Sequence, residues 1–130
     1  MSDYVLDSFA LLVFFQQEQG WERVRELIRD ATEGKAELHM SVINLAEVKY
    51  ILARRGKAQS RVMAALEALP INIASADAHV ESVIEIKAQY PISLADCFAA
   101  ALALDLDCPV ITADPEFEKL KGILRVEWLR

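Results

Sequence analysis

Glycine and proline are scarce in this chain, four of each among 130 residues. That leaves little material for flexible linkers, low-complexity tails or a domain boundary. One domain with one core is expected over residues 1–130. Long apolar runs are also missing. The longest, "FALLVFF" and "CFAAALAL", fall well below the roughly 20 residues that a membrane span needs, so no membrane segment is expected. The opening "MSDYVLD" has no basic residue ahead of its apolar stretch, so no secretory signal is expected and the chain is read as cytoplasmic. Cysteine is limited to Cys97 and Cys108, without metal-type spacing, which reads as two reduced core thiols. His39 and His79 stand apart from each other and from either cysteine, which disfavours zinc. Positive charge is in deficit, 14 basic against 20 acidic residues for a net −6. A protein held on nucleic acid by its overall field is therefore not expected. No glycine follows the first apolar stretch, "YVLDSFA", which argues against a nucleotide-binding loop.

What is present is apolar material, 54% of the chain, in short runs punctuated by breakers. Tyr4–Leu6, Glu37–Met40, Ile71–Ala74, Pro109–Thr112 and Leu124–Trp128 read as strands. Helices are expected from Ser8 as cap to about Gln19, over Trp21–Ala31, from Ser41 as cap to about Arg55, over Lys57–Leu69, over Ala76–Gln89 and from Ser93 as cap to Leu106. A short helix starts at Pro115. In the 76–89 helix, Val80, Val83, Ile84 and Lys87 are in register for one face. The alternation predicts an α/β domain with a central, mainly parallel sheet and helices on both faces. Ligands of such open sheets bind beyond the carboxyl ends of the strands, where the winding reverses.

Four acids break this pattern. Asp7 follows the first strand directly. Glu47 sits in "VINLAEVKYIL", with Ile43, Asn44, Tyr50 and Ile51 as its helical neighbours. Asp96 shares its face with Ala99, Ala100 and Ala103, small residues that let a helix approach a sheet closely. Asp114 lies two residues after Thr112. Each has a structural explanation: Asp7 as a cap with Ser8, Asp96 as a capping box with Ser93, Asp114 as the N-cap before Pro115, and Glu47 paired with a nearby base. Together they suggest more. Four carboxylates from four segments pointing to one end of one sheet repel one another, and a divalent ion with a preference for oxygen, Mg²⁺ or Mn²⁺, resolves the conflict. Such a site performs phosphodiester hydrolysis. Thr112 and Ser8 offer hydroxyls beside it. Lys49, Arg54, Arg55, Lys57 and Arg61 form a run with no acid among them. It is either a solvated surface or a place for phosphates or an acidic partner.

In order, "YVLDSFALL", "SVINLAEVKYIL", "ISLADCFAAALAL" and "VITADPEF" resemble the four acidic motifs of PIN-domain ribonucleases, most closely VapC-type toxins of toxin–antitoxin pairs. The likeness runs from about residue 4 to residue 128. It implies a Rossmann-like sheet of about five strands in the order 3-2-1-4-5. It also implies Mg²⁺- or Mn²⁺-dependent endonucleolytic cleavage of RNA. The carried-over catalytic and metal-holding acids are Asp7, Glu47, Asp96 and Asp114. Ser8, Thr112 and Glu116 are supporting positions, with Glu118 close to the last. A homodimer and a small cognate antitoxin are implied as well. The antitoxin would lie in an apolar groove, for which Leu11, Leu12, Phe14, Phe15, Val24 and Leu27 are candidates, although ordinary core is the commoner role for such residues. Arg54, Arg55 and Lys57 are candidates for RNA-backbone contacts outside the motifs.

Rival phosphotransfer chemistries fit less well. An aspartyl-nucleophile phosphatase places a second acid two residues after the first, where Phe9 stands. A receiver domain needs a mid-sheet Asp that "INIAS" does not supply. The alternatives carried forward are a catalytically silent PIN-like domain that binds RNA or protein, and a housekeeping PIN nuclease.

Overall fold

The computed structural model describes residues 2–130. Five parallel strands, β1 (Ser2–Leu6), β2 (Ala36–Ser41), β3 (Ile71–Ala74), β4 (Val110–Thr112) and β5 (Val126–Trp128), form one sheet in the order β3-β2-β1-β4-β5. The winding starts at β1, runs outward to β3, and then crosses back to β4. The switch point thus lies between β1 and β4, which pair through Val5 with Val110 and Leu6 with Ile111. Alternation along these strands builds two cores. Val5 and Val110 face a layer made by α5 (Val80–Gln89), α6 (Leu94–Leu106) and a 3₁₀ turn at Pro115–Leu120. Leu6 and Ile111 face the opposite layer, made by α1 (Ser8–Gln16), α2 (Trp21–Thr32), α3 (Val42–Arg54) and α4 (Ser60–Glu67). Strands covered on both sides carry continuous apolar sequence, which is why "YVL" and "VIT" lack polar alternation.

Helix α6 lies against the middle of the sheet. Its Ala99, Ala100, Ala101 and Ala103 are buried, and their small side chains permit the close approach anticipated from the sequence. Cys97 and Cys108 are free and buried. Burial pushes the Cys108 thiol up to about 11, so it behaves as a small apolar side chain.

Several local expectations change. Asp7, not Ser8, is the N-cap of α1, its side chain accepting from the Ala10 amide, and the helix stops at Gln16 with Gln17 in the left-handed region. The 57–69 helix begins only at Ser60, because Gly56 (φ 68°) turns the chain after α3 and the Lys57 amide folds back onto the Leu52 carbonyl. The 76–89 helix opens as a 3₁₀ turn, Asp77–His79. Its inward face is His79, Val83 and Ile86, whereas Val80 and Ile84 are 41% and 55% exposed and Lys87 is exposed. The tighter opening turn sets a phase different from that of a continuous α-helix. Of the groove candidates, Leu11, Leu12, Val24 and Leu27 are core. Phe14 and Phe15 are only partly buried and pack edge-to-face at 5.3 Å.

Candidate active site

Asp7 and Asp114 lie at the carboxyl ends of β1 and β4, and the chain leaves each strand by a helical turn that starts there. Asp7 ends β1 and caps α1, its Oδ1 accepting from the Ala10 amide at 2.8 Å. Asp114 follows β4 and caps the 3₁₀ turn, its Oδ1 accepting from the Glu116 amide at 3.0 Å. Asp96 sits in the first turn of α6, whose cap Ser93 accepts from the Asp96 amide at 3.1 Å. The capping box expected for this pair is therefore only half formed. No bond from the Ser93 amide to the Asp96 carboxylate accompanies it, and the Asp96 Oδ2 is buried without a hydrogen-bond partner. The helix starts help to hold these acids, since the exposed amides and the positive end of the dipole favour negative charge there.

Thr112 binds the two strand ends together. Its Oγ1 donates to Asp7 Oδ2 and accepts from the Asp114 amide at 2.9 Å. All three residues are buried: Asp7 and Thr112 at 0% exposure, Asp114 at 8%. Glu47 lies on α3, half buried, near enough for its charge to act on Asp7.

Electrostatics set these acids apart. Asp7 is pushed from 3.8 up to about 7. Burial is the main cause, reinforced by Asp114 and Glu47 and opposed by the Thr112 and Ala10 hydrogen bonds. Asp96 is also pushed well above the ordinary carboxylate range, first by burial and then by the charges of Asp114 and Asp7. Among the described residues, no ion pair involves Asp7, Glu47, Asp96 or Asp114. Nor, among them, does any group of three or more His, Cys, Asp or Glu side chains stand close enough, as arranged, to hold a metal ion. The acids act on one another across the pocket. Oxygen-only donors, an orphaned buried carboxylate oxygen and uncompensated mutual repulsion fit a hard divalent cation.

The remaining sequence candidates divide. Ser8 is buried beside Asp7 and donates to the Asn44 carbonyl at 3.2 Å. Glu116 is near the pocket through its amide, but its carboxylate is taken by Lys119 at 2.7 Å. Glu118 is exposed and faces Lys121 and Arg130. Arg54, Arg55 and Lys57 are exposed. Lys57 bonds Gln16 at 3.2 Å, and Arg55 lines a cleft of ≈ 430 Å³ with Phe9, Leu12, Glu18, Ala113 and Leu129. This cleft begins next to Asp7 and Asp114 in sequence.

The sequence reading missed Asn44, which is wholly buried. Its Nδ2 donates to Ser8 Oγ at 3.1 Å and to the Ala95 carbonyl at 3.2 Å, while its Oδ1 has no partner. The available signal was its place, one turn before Glu47 on an otherwise apolar stripe.

A parallel sheet wound 3-2-1-4-5, with buried acids at its switch point, defines a Rossmann-like α/β domain. The PIN-domain family profile matches residues 4–123, and the chain belongs to that family. Solved structures with the same fold include a toxin–antitoxin complex from Klebsiella pneumoniae, with TM-score 0.73, 20% identity and 98% of each chain covered. DNA-bound VapBC from Salmonella typhimurium gives TM-score 0.69, 22% identity and 100% coverage of each chain. VapBC-1 from nontypeable Haemophilus influenzae gives 0.65, 24% and 98% of each chain. No functionally curated protein matches the sequence significantly.

Proposed function

We propose that this PIN domain is a Mg²⁺- or Mn²⁺-dependent endoribonuclease and the toxin of a toxin–antitoxin pair. The observation that carries the catalytic part is the set of buried acids, Asp7, Asp96 and Asp114, with Glu47 beside them and no cationic side chain among their ion-pair partners. Burying several mutually repelling carboxylates destabilises a fold. A domain that only bound RNA or protein would gain nothing from it. The toxin assignment is supported by the family and by toxin–antitoxin complexes that contain a chain sharing the fold end to end.

Asp7, Asp96 and Asp114, with Glu47 at the rim, would hold the ion, which when bound supplies a Lewis acid and a lowered pKa for water. The chain's own residues prepare that site. Thr112 fixes Asp7 and Asp114 at a constant separation across two strand ends. The starts of α1 and α6 stabilise the negative charge of Asp7 and Asp96. Burial keeps bulk water from screening the interaction. Arg54, Arg55 and Lys57, exposed at and just beyond the end of α3, would contact backbone phosphates of an RNA. A homodimer and a small antitoxin complete the proposal.

Purified protein freed of any partner is expected to cleave RNA with Mg²⁺ or Mn²⁺ and to stop with EDTA. The Asp96→Asn protein is expected to cleave at least about a hundredfold more slowly. An Asp96→Asn protein as active as wild type overturns the site. In cells, expression of the chain alone should arrest growth, and Glu47→Gln should relieve it. Unimpaired growth with ample soluble wild-type protein would favour a housekeeping nuclease, or the silent domain if RNA also stays intact.

A further inference from the structure

Asn44 contributes to the site without facing it. Its two amide hydrogens are both committed, one to Ser8 Oγ at 3.1 Å and one to the Ala95 carbonyl at 3.2 Å. The Ala95 carbonyl can only accept, so the nitrogen must point toward α6 and the orientation of the amide is determined. Ser8 returns a bond from its hydroxyl to the Asn44 carbonyl at 3.2 Å. The partners are neighbours in sequence of the acids: Ser8 follows Asp7, Ala95 precedes Asp96, and Asn44 itself lies three residues before Glu47. One buried side chain thus ties together the three helices that carry three of the four acids. The position is an expensive one for an amide, since Asn44 is 0% exposed and its Oδ1 finds no partner. An apolar residue of the same size would leave no such orphaned oxygen.

We infer that Asn44 is a positioning residue: it sets the spacing of α1, α3 and α6, and through it the separation of Asp7, Glu47 and Asp96 on which divalent-ion affinity depends. This inference rests on the metal-dependent reading of the site. Like the partners that orient ligands from behind in metal sites, such a residue governs affinity without touching the ion. A purely structural role predicts lost stability with Mn²⁺ affinity unchanged, because removing the amide leaves the Ser8 hydroxyl and the Ala95 carbonyl without their donor.

The test is Mn²⁺ binding to the purified full-length chain, followed by electron paramagnetic resonance of free Mn²⁺, beside thermal unfolding of the metal-free protein. Asn44→Leu should remain folded at the assay temperature yet bind Mn²⁺ about tenfold or more weakly. Ser8→Ala, which removes one acceptor and leaves the packing intact, should weaken binding several-fold. The double variant should be little worse than Asn44→Leu alone, since both act through one network. Wild-type Mn²⁺ affinity in Asn44→Leu overturns the inference, as do fully additive losses in the double variant. If Asn44→Leu fails to fold, Ser8→Ala decides: unchanged affinity there also overturns it. Absence of Mn²⁺ binding by the wild type would instead overturn the metal-dependent reading itself.

Discussion

Asp7 shows how one residue can serve two ends. As an N-cap it completes α1, and as a buried carboxylate with a raised proton affinity it strains the fold. With a folded value of about 7 against 3.8 unfolded, the folded state holds the proton across the range in which the unfolded state has lost it. Stability from this group is therefore present at low pH, falls as pH rises from about 4 to 7, and stays low above that. The metal-free protein is expected to melt at a lower temperature at pH 8 than at pH 5.5, and saturating Mg²⁺ should reverse the difference. Thermal scans at the two pH values, with and without Mg²⁺, check this. By the same argument, Asp7→Asn should stabilise the metal-free protein at pH 8 by on the order of 2 kcal/mol while abolishing cleavage. Equilibrium denaturation at pH 8 measures the first and an RNA cleavage assay the second. These residues were legible because each broke its local pattern. The cap and site readings of Asp7, Asp96 and Asp114 had looked like competitors, yet the structure supplies the cap contacts at the same residues that crowd the pocket. Asn44 was not legible as more than a neighbour of Glu47, since one polar residue on an apolar stripe does not say which backbone it reaches.

At the scale of elements, the strands and the order of helices could be read because breakers and apolar runs are local signals. Helix phase could not. The face of the helix after β3 depends on whether its first turn is 3₁₀ or α, a choice made by packing of His79, Val83 and Ile86 against α6. Two joints are open to direct test. Thr112 links the ends of β1 and β4 by a hydrogen bond to a buried carboxylate. Thr112→Val keeps shape and loses that bond, so it should cost about 2 kcal/mol in denaturant unfolding at pH 8, where Asp7 is ionised, and slow RNA cleavage as well. Gly20 starts α2 at φ 94°, and a Cβ there would lie 2.9 Å from the Leu129 Cβ. Gly20→Ala should therefore destabilise by about 2 kcal/mol or more, with cleavage per folded molecule unchanged.

At the scale of the whole molecule, the balance of −6 sits beside a proposed RNA substrate. The two are compatible if attraction is local, through the exposed Arg54, Arg55 and Lys57, while the acids are neutralised by an ion. Cleavage should then fall with added monovalent salt only with the shallow slope of a few phosphate contacts, not the steep one of a large basic face. The homodimer would sediment at about twice the 14.6 kDa of one chain. The topology was accessible before any coordinates because the family resemblance and the α/β alternation pointed the same way. Partner surfaces were not, because an apolar residue reads the same whether it meets its own core or another chain. Four of the six groove candidates proved to be core.

The central claim is that Asp7, Asp96 and Asp114 jointly hold a divalent cation. Crystals of the protein grown with Mn²⁺, with anomalous scattering recorded at the manganese edge, test it most directly. The account predicts an anomalous peak at the carboxyl ends of β1 and β4, within coordination distance of Asp7, Asp96 and Asp114, that disappears in Asp96→Asn. A saturating Mn²⁺ soak that leaves this pocket without a peak, or a peak unaffected by that substitution, would contradict it.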